Sequence, residues 1–178
     1  MEGVWIFIAA DMAMFGLLFV SFVIDRGKQI AAYEASRQFL NPNIGGLNTL
    51  ILLSSSWLVA LAVDATKKND SLRASRCLMG GIACGLAFGV SKAFEYTEKL
   101  RAGISLLSNP FFTYYFALTG IHLLHVAAGT VVLVVLLGKT RRGAYGRGNC
   151  AGLENGASYW HMVDLLWIML FPLLYLMK

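Results

Sequence analysis

Residues 110–137 read PFFTYYFALTGIHLLHVAAGTVVLVVLL, a continuous apolar run with no Asp, Glu, Lys or Arg. A helix needs about 20 such residues to cross the hydrocarbon of a bilayer. This run can therefore span one, with length to spare for tilting or protruding. Its flanks agree. Asn109-Pro110 puts proline in a first turn, where its missing N–H is not needed. Gly138, followed by Lys139, Arg141 and Arg142, marks the other end. The run is unbroken rather than alternating, which favours a helix over a barrel strand.

Four further apolar runs flank it, at residues 3–24, 47–63, 77–94 and 157–177. The expectation is an all-α integral membrane bundle of five helices in a single domain, 1–178, with Pro172 kinking the last helix. Composition agrees: 57% of residues are hydrophobic and 14% charged, against roughly 45–50% and 25% in soluble domains. Trp5, Tyr96, Tyr159, Trp160 and Tyr175 fall near the ends of the runs and read as interfacial rings. Trp57 and Trp167 fall deeper, as packing or lipid-facing residues.

The net charge of +5 does not point to nucleic acid, because the basic residues lie in short loops. Five crossings place Lys67, Lys68, Arg73, Arg76, Lys139, Arg141, Arg142 and Arg147 on the side of the N-terminus. Arg26, Lys28, Arg37, Lys99, Arg101 and Lys178 fall on the other side. The excess favours a cytoplasmic N-terminus and an outside C-terminus. Met-Glu-Gly leads directly into an apolar run and lacks the basic start of a signal peptide. Cys77, Cys84 and Cys150 include no Cys-x-x-Cys pair, so neither a zinc site nor a thioredoxin-like site is signalled. Gly138-Lys139-Thr140 lacks the earlier glycine of a phosphate-binding loop, with Leu133 in its place. The loop 143–156 is glycine-rich and reads as flexible.

Chemistry is concentrated in polar groups within or beside the apolar runs: Asp11, Lys92, Glu95, His122, His125, Glu154, His161 and Asp164. Ionisable groups in a membrane helix are costly and so are paired or face protein or water. Lys92/Glu95, His122/His125 and His161/Asp164 each share a helix face by i,i+3 spacing. Two readings of the histidines stand open. They could ligate zinc or iron with a carboxylate, or they could hydrogen-bond across helices. Asp11, Glu95, Glu154 and Asp164 could likewise relay protons or serve as structural partners, Lys92 with Glu95 for example. Three histidines are too few for two haems and a copper, and Cys-x-x-Cys-His is missing, so no c-type haem is expected. Gly81, Gly85 and Gly89 recur every four residues, a row that permits close helix packing within the chain or against another subunit.

Gly120-Ile121-His122-Leu123-Leu124-His125-Val126, with Gly129 following, resembles the fourth-helix signature of the haem-copper oxidase subunit III family. Tyr159-Trp160-His161-Met162-Val163-Asp164-Leu165-Leu166-Trp167 resembles its last-helix signature. Glu95-Tyr96, Glu154 and Leu47-Asn48-Thr49 agree, and the resemblance covers essentially the whole chain. It implies an accessory respiratory subunit without metal, haem or catalytic centre of its own. Such a subunit would pack on the catalytic haem-copper subunit and other subunits, bind phospholipid in a cleft and support proton uptake by its neighbour. It would reside in the bacterial cytoplasmic membrane, with its N-terminus cytoplasmic as in the five-helix forms. Asp11, Glu95, His122, His125, Glu154, His161 and Asp164 would then form a structural polar network or proton relay.

Departures from the family pattern are specific. Members of the mitochondrial type have seven helices, so one wall of the lipid cleft would come from elsewhere. Ala10-Asp11-Met12 stands where oxidase members usually carry Ser-Glu, and Lys92 stands where Gln is frequent. The Asp-Met pair and five runs resemble the branch associated with nitric oxide reductase. A small transporter lined by Asp11, Lys92 and Glu95 is the alternative from another class, and a metal-dependent membrane enzyme using the three histidines is a third.

Overall fold

The computed structural model describes residues 2–146 and 148–177, apart from the side chain of Glu2. Arg147 and Lys178, which enter the loop charges above, lie outside the described residues. The chain forms α1 (Glu2–Lys28), α2 (Ile30–Arg37), α3 (Pro42–Lys67), α4 (Ser71–Arg101), α5 (Pro110–Arg141) and α6 (Ala151–Phe171), closed by a π-helical turn, Pro172–Leu176. Five helices in the described residues are long and apolar enough to cross a membrane: α1, α3, α4, α5, and α6 with its π turn.

Helix ends follow from short polar side chains. Asn41, Asp70 and Asn109 accept backbone N–H donors from Asn43, Arg73 and Phe112 at 3.0, 2.9 and 2.9 Å, the usual work of an N-cap. Pro42 and Pro110 occupy first-turn positions. Asn41 and Asp70 lie several residues before the apolar runs, so α3 and α4 begin ahead of those runs. The last helix begins at Ala151, so part of the glycine-rich stretch is helical and Glu154 sits in the first turn. A carboxylate there suits the positive end of the helix dipole. Short α2, outside the five runs, folds under the bundle by burying Tyr33 and Ser36. Asn109 Nδ2 donates to Ser36 Oγ at 2.8 Å.

Helices α3, α4, α5 and α6 surround the core, while α1 lies against α5 and α6 with most of its apolar surface outward. Trp160 is the centre of this packing. Its ring sits where glycines leave room: a Cβ on Gly85 would lie 2.8 Å from Trp160 Cη2, and one on Gly129 2.7 Å from its Cε3. Its indole N–H donates to Ser55 Oγ at 3.1 Å, and Ser55 donates to the Gly81 carbonyl at 2.9 Å. One side chain thus joins four helices. Gly81 faces Val59, whereas Gly89 meets nothing within 4 Å among the described residues.

Two aromatic expectations are overturned. Trp160 and Tyr175 are buried at 0% and 2% exposure rather than placed at the headgroup level. Each polar tip finds a partner inside the bundle, so neither needs an interface. Trp167 is also buried, donating to Thr49 Oγ1 at 3.0 Å, while Trp57 points outward at 67% exposure. At Pro172 the lost N–H is met by a change of winding, and Met177 N donates to Pro172 O at 2.9 Å.

Gly85→Ala should lower the stability of the purified protein by about 1–3 kcal/mol, because the new Cβ overlaps Trp160. Gly89→Ala should leave it unchanged. Thermal unfolding in detergent, followed by tryptophan fluorescence, distinguishes the two.

Candidate functional site

The innermost charged group is a lysine. Lys92 and Glu95 lie one turn apart on α4, with side chains exposed by only 1% and 3%, and pair at 2.9 Å. Lys92 Nζ donates to Glu95 Oε2 and to Tyr175 Oη, each at 2.9 Å. Glu95 Oε1 accepts from Tyr115 at 2.8 Å and from Tyr175 at 2.6 Å. The ammonium lies 5.0 Å from the Trp167 ring centre, 5.3 Å from Tyr115, 5.5 Å from Tyr175 and 5.7 Å from Tyr96. Both charges are therefore neutralised and hydrogen-bonded within a box of aromatic faces. Tyr115 comes from α5 and Tyr175 from the π turn, so the ion pair binds α4 to both. Arg37 Nη1 donates to the Tyr175 carbonyl at 3.2 Å, and Lys99 donates to the Phe39 carbonyl, which ties the same end to α2 and the turn after it.

A second polar contact joins α1 to α5. His125 Nε2 lies 3.2 Å from Asp11 Oδ2, and its Nδ1 lies 2.8 Å from the Ile121 carbonyl. A carbonyl only accepts, so Nδ1 carries the hydrogen. Nε2 is thereby turned toward Asp11, and the contact links α1 to α5.

The remaining predicted residues are dispersed. His122 Nε2 donates to the Val163 carbonyl at 3.0 Å, joining α5 to α6. His161 Nδ1 lies 2.6 Å from Ser56 Oγ on α3. Glu154 pairs with Lys67 at 2.8 Å, but both are largely exposed, and such a pair adds little stability. Asp164 is buried on α6, and neither carboxyl oxygen has a hydrogen-bond partner among the described residues. The three imidazoles thus point to three different partners. Among the described residues no three His, Cys, Asp or Glu side chains converge on a common ion position. Asp11, Glu95, Glu154 and Asp164 likewise sit in four separate environments.

Sequence reasoning missed Tyr115, Tyr175 and Ser56. Tyrosine in an apolar run carries no periodic signal that separates a hydrogen-bonding ring from a packing one. Tyr33, outside the spans, is also buried. Burial first, then the Asp25 carboxylate, holds its phenol above the ordinary value.

Several grooves open on the flank of the bundle, and two of the larger ones adjoin α1. One, of about 480 Å³, is apolar and lined by Val4, Phe7, Ala128, Val132 and Tyr159 among others. The other, of about 510 Å³, lies between α1, α3 and α6 and includes Trp5, Lys67, Glu154 and His161.

The sequence model of the family described as cytochrome c oxidase subunit III matches residues 1–178. Cytochrome c oxidase subunit 3 of Synechocystis sp. is 33% identical over 178 residues, covering 99% of this chain and 75% of that protein. The same-named protein of Thermostichus vulcanus is 33% identical, covering 98% of this chain and 86% of its own. A haem-copper oxidase subunit I+III of Aeropyrum pernix is 32% identical over 98% of this chain, which corresponds to 22% of that longer protein.

Tyr175→Phe should cost more stability than Tyr115→Phe. It removes a donor to Glu95 and an acceptor from Lys92, whereas Tyr115 makes one bond to the pair. Losses of about 1–3 kcal/mol per stranded group are expected, read as the difference in thermal unfolding midpoint between the two variants.

Proposed function

The chain belongs to the cytochrome c oxidase subunit III family, and from that membership we infer its part in a haem-copper oxidase. It is a multi-pass accessory subunit with no catalytic centre of its own. Haem and copper chemistry falls to the catalytic subunit beside it, and this chain contributes packing, shape and polar contacts. The observation that carries this reading is the use made of the polar side chains. Lys92, Glu95, His122, His125 and Asp11 are engaged between helices rather than gathered at one reaction centre. Sequence resemblance to oxidase subunits over the whole chain points the same way, and it lends no support to a nitric oxide reductase branch or an independent transporter.

The partner is the catalytic haem-copper subunit, together with other subunits of a respiratory complex. The Aeropyrum relative supports this choice, because its name joins subunits I and III in one protein. Phospholipid is the ligand suited to the apolar groove beside α1, since acyl chains can lie along Phe7 and Val132. The loop charges favour a cytoplasmic N-terminus and an outside C-terminus in the bacterial cytoplasmic membrane. Support of proton uptake by the partner fits the contact between the Asp11 carboxyl and the His125 ring.

An affinity-tagged chain, isolated from gently solubilised membranes, should bring with it a haem-copper subunit and its haem absorption spectrum. Isolation free of haem, from membranes that still contain intact oxidase, would contradict the accessory role.

A further inference from the structure

Asp164 is the buried charged-type group whose chemistry the inter-helix contacts leave unexplained. It is 3% exposed, and both its oxygens lack a hydrogen-bond partner among the described residues. An unpaired carboxylate in hydrocarbon surroundings is costly, so this carboxyl needs either a proton or a donor. Ser56 is placed to supply both. Its hydroxyl borders the Asp164 carboxyl without completing a hydrogen bond, and it is held at 2.6 Å by His161 Nδ1. His161 and Asp164 lie three residues apart on one face of α6.

The far side of His161 is open. The residue lines the groove of about 510 Å³ between α1, α3 and α6, with the Lys67–Glu154 pair along the same wall. His161 Nε2 makes no hydrogen bond among the described residues, yet it does not belong to the buried polar atoms. It therefore faces the groove. Four titratable pairs and contacts on the packed helices are made without Asp164. His122 of α5 bonds the Val163 carbonyl, and His125 of α5 bonds Asp11 of α1. Lys92 of α4 pairs with Glu95, and Lys67 of α3 pairs with Glu154.

We propose that His161 and Ser56 form a proton entry that connects water in the groove to the buried Asp164 carboxyl. A proton from water binds His161 Nε2 and leaves the ring with hydrogens on both nitrogens. The Nδ1 hydrogen then passes to Ser56 Oγ, while the hydroxyl's own hydrogen passes to an Asp164 oxygen. One N–H and one O–H bond break, and two O–H bonds form. The products are a neutral imidazole, an intact serine hydroxyl and a protonated Asp164. The ring starts with its hydrogen on Nδ1, donating to Ser56 Oγ across the 2.6 Å contact, and ends with it on Nε2, the new serine hydrogen pointing at Nδ1. The reverse sequence returns the proton to the groove. Rotation of the Ser56 hydroxyl is the motion required. This relay depends on residues of this chain alone and stands whichever partner the chain serves.

Infrared difference spectroscopy of the purified native assembly tests it. Asp164 should give a carboxylic acid carbonyl band that Asp164→Asn removes. Isotope-labelled aspartate identifies the same band should that variant fail to assemble. On transfer to heavy water the band should shift quickly in the native protein. In Ser56→Ala and in His161→Phe the band should persist but shift more slowly, by about tenfold or more. Ser56→Thr, which keeps a hydroxyl, should restore the native rate. Exchange at the native rate in Ser56→Ala would overturn the proposal, as would a carbonyl region unchanged by Asp164→Asn.

Discussion

Two opposite charges, buried together on one helix, set the terms for the rest of the molecule. Lys92 and Glu95 are 2.9 Å apart and almost wholly removed from solvent. Removing two charges from water costs several kcal/mol per ion even after relaxation, and only good geometry with full hydrogen bonding offsets it. The surrounding chain supplies both. Tyr115 and Tyr175 complete the coordination, and four aromatic rings lie over the ammonium. The continuation of α6 must therefore bring Tyr175 to α4. The π turn at Pro172–Leu176 is the winding that delivers it, and Arg37 and Lys99 fasten the same end from beneath.

The other half of the bundle is organised by shape rather than charge. Trp160 fills the space that Gly85 and Gly129 leave open, and its indole hydrogen is consumed by Ser55. Helix association in a membrane cannot draw on the hydrophobic effect and relies on close packing and hydrogen bonds. A large ring over two glycines provides the first, and a buried N–H partner provides the second. Between these two centres lie Phe88, His122 and Trp167, whose rings meet at 4.9–5.6 Å. The arrangement is that of helices joined to one another through buried rings and polar contacts. Its polar side chains hold helices together, and its apolar outer faces on α1, α4 and α5 are left for lipid or for a neighbouring subunit.

Much of this was legible in the sequence, for a physical reason. Hydrophobic length is a strong signal, so five crossings could be read from five apolar runs. Spacing is a second strong signal, and it put Lys92 beside Glu95 and Gly81 in line with Gly85. What spacing cannot reveal is the partner contributed by a distant helix. Asp164 and His161 share a face, yet His161 turns to Ser56, more than a hundred residues away in the chain. Trp160 and Tyr175 resemble interfacial anchors by position, because ring chemistry is the same at a headgroup and beside a buried serine. Helix ends were legible only in part, since caps such as Asn41 and Asp70 lie outside the apolar stretches. The π turn at Pro172 has no signature that separates it from a simple kink.

The buried ion pair acts as one unit, and a double-mutant cycle on Lys92 and Glu95 tests this most directly. Glu95→Gln alone strands a buried ammonium and should cost about 3–5 kcal/mol in the thermal unfolding of the purified assembly. Adding Lys92→Gln to it removes the stranded charge and should recover most of that loss. A second substitution that deepens the loss, or a Glu95→Gln protein as stable as the native one, would contradict the claim.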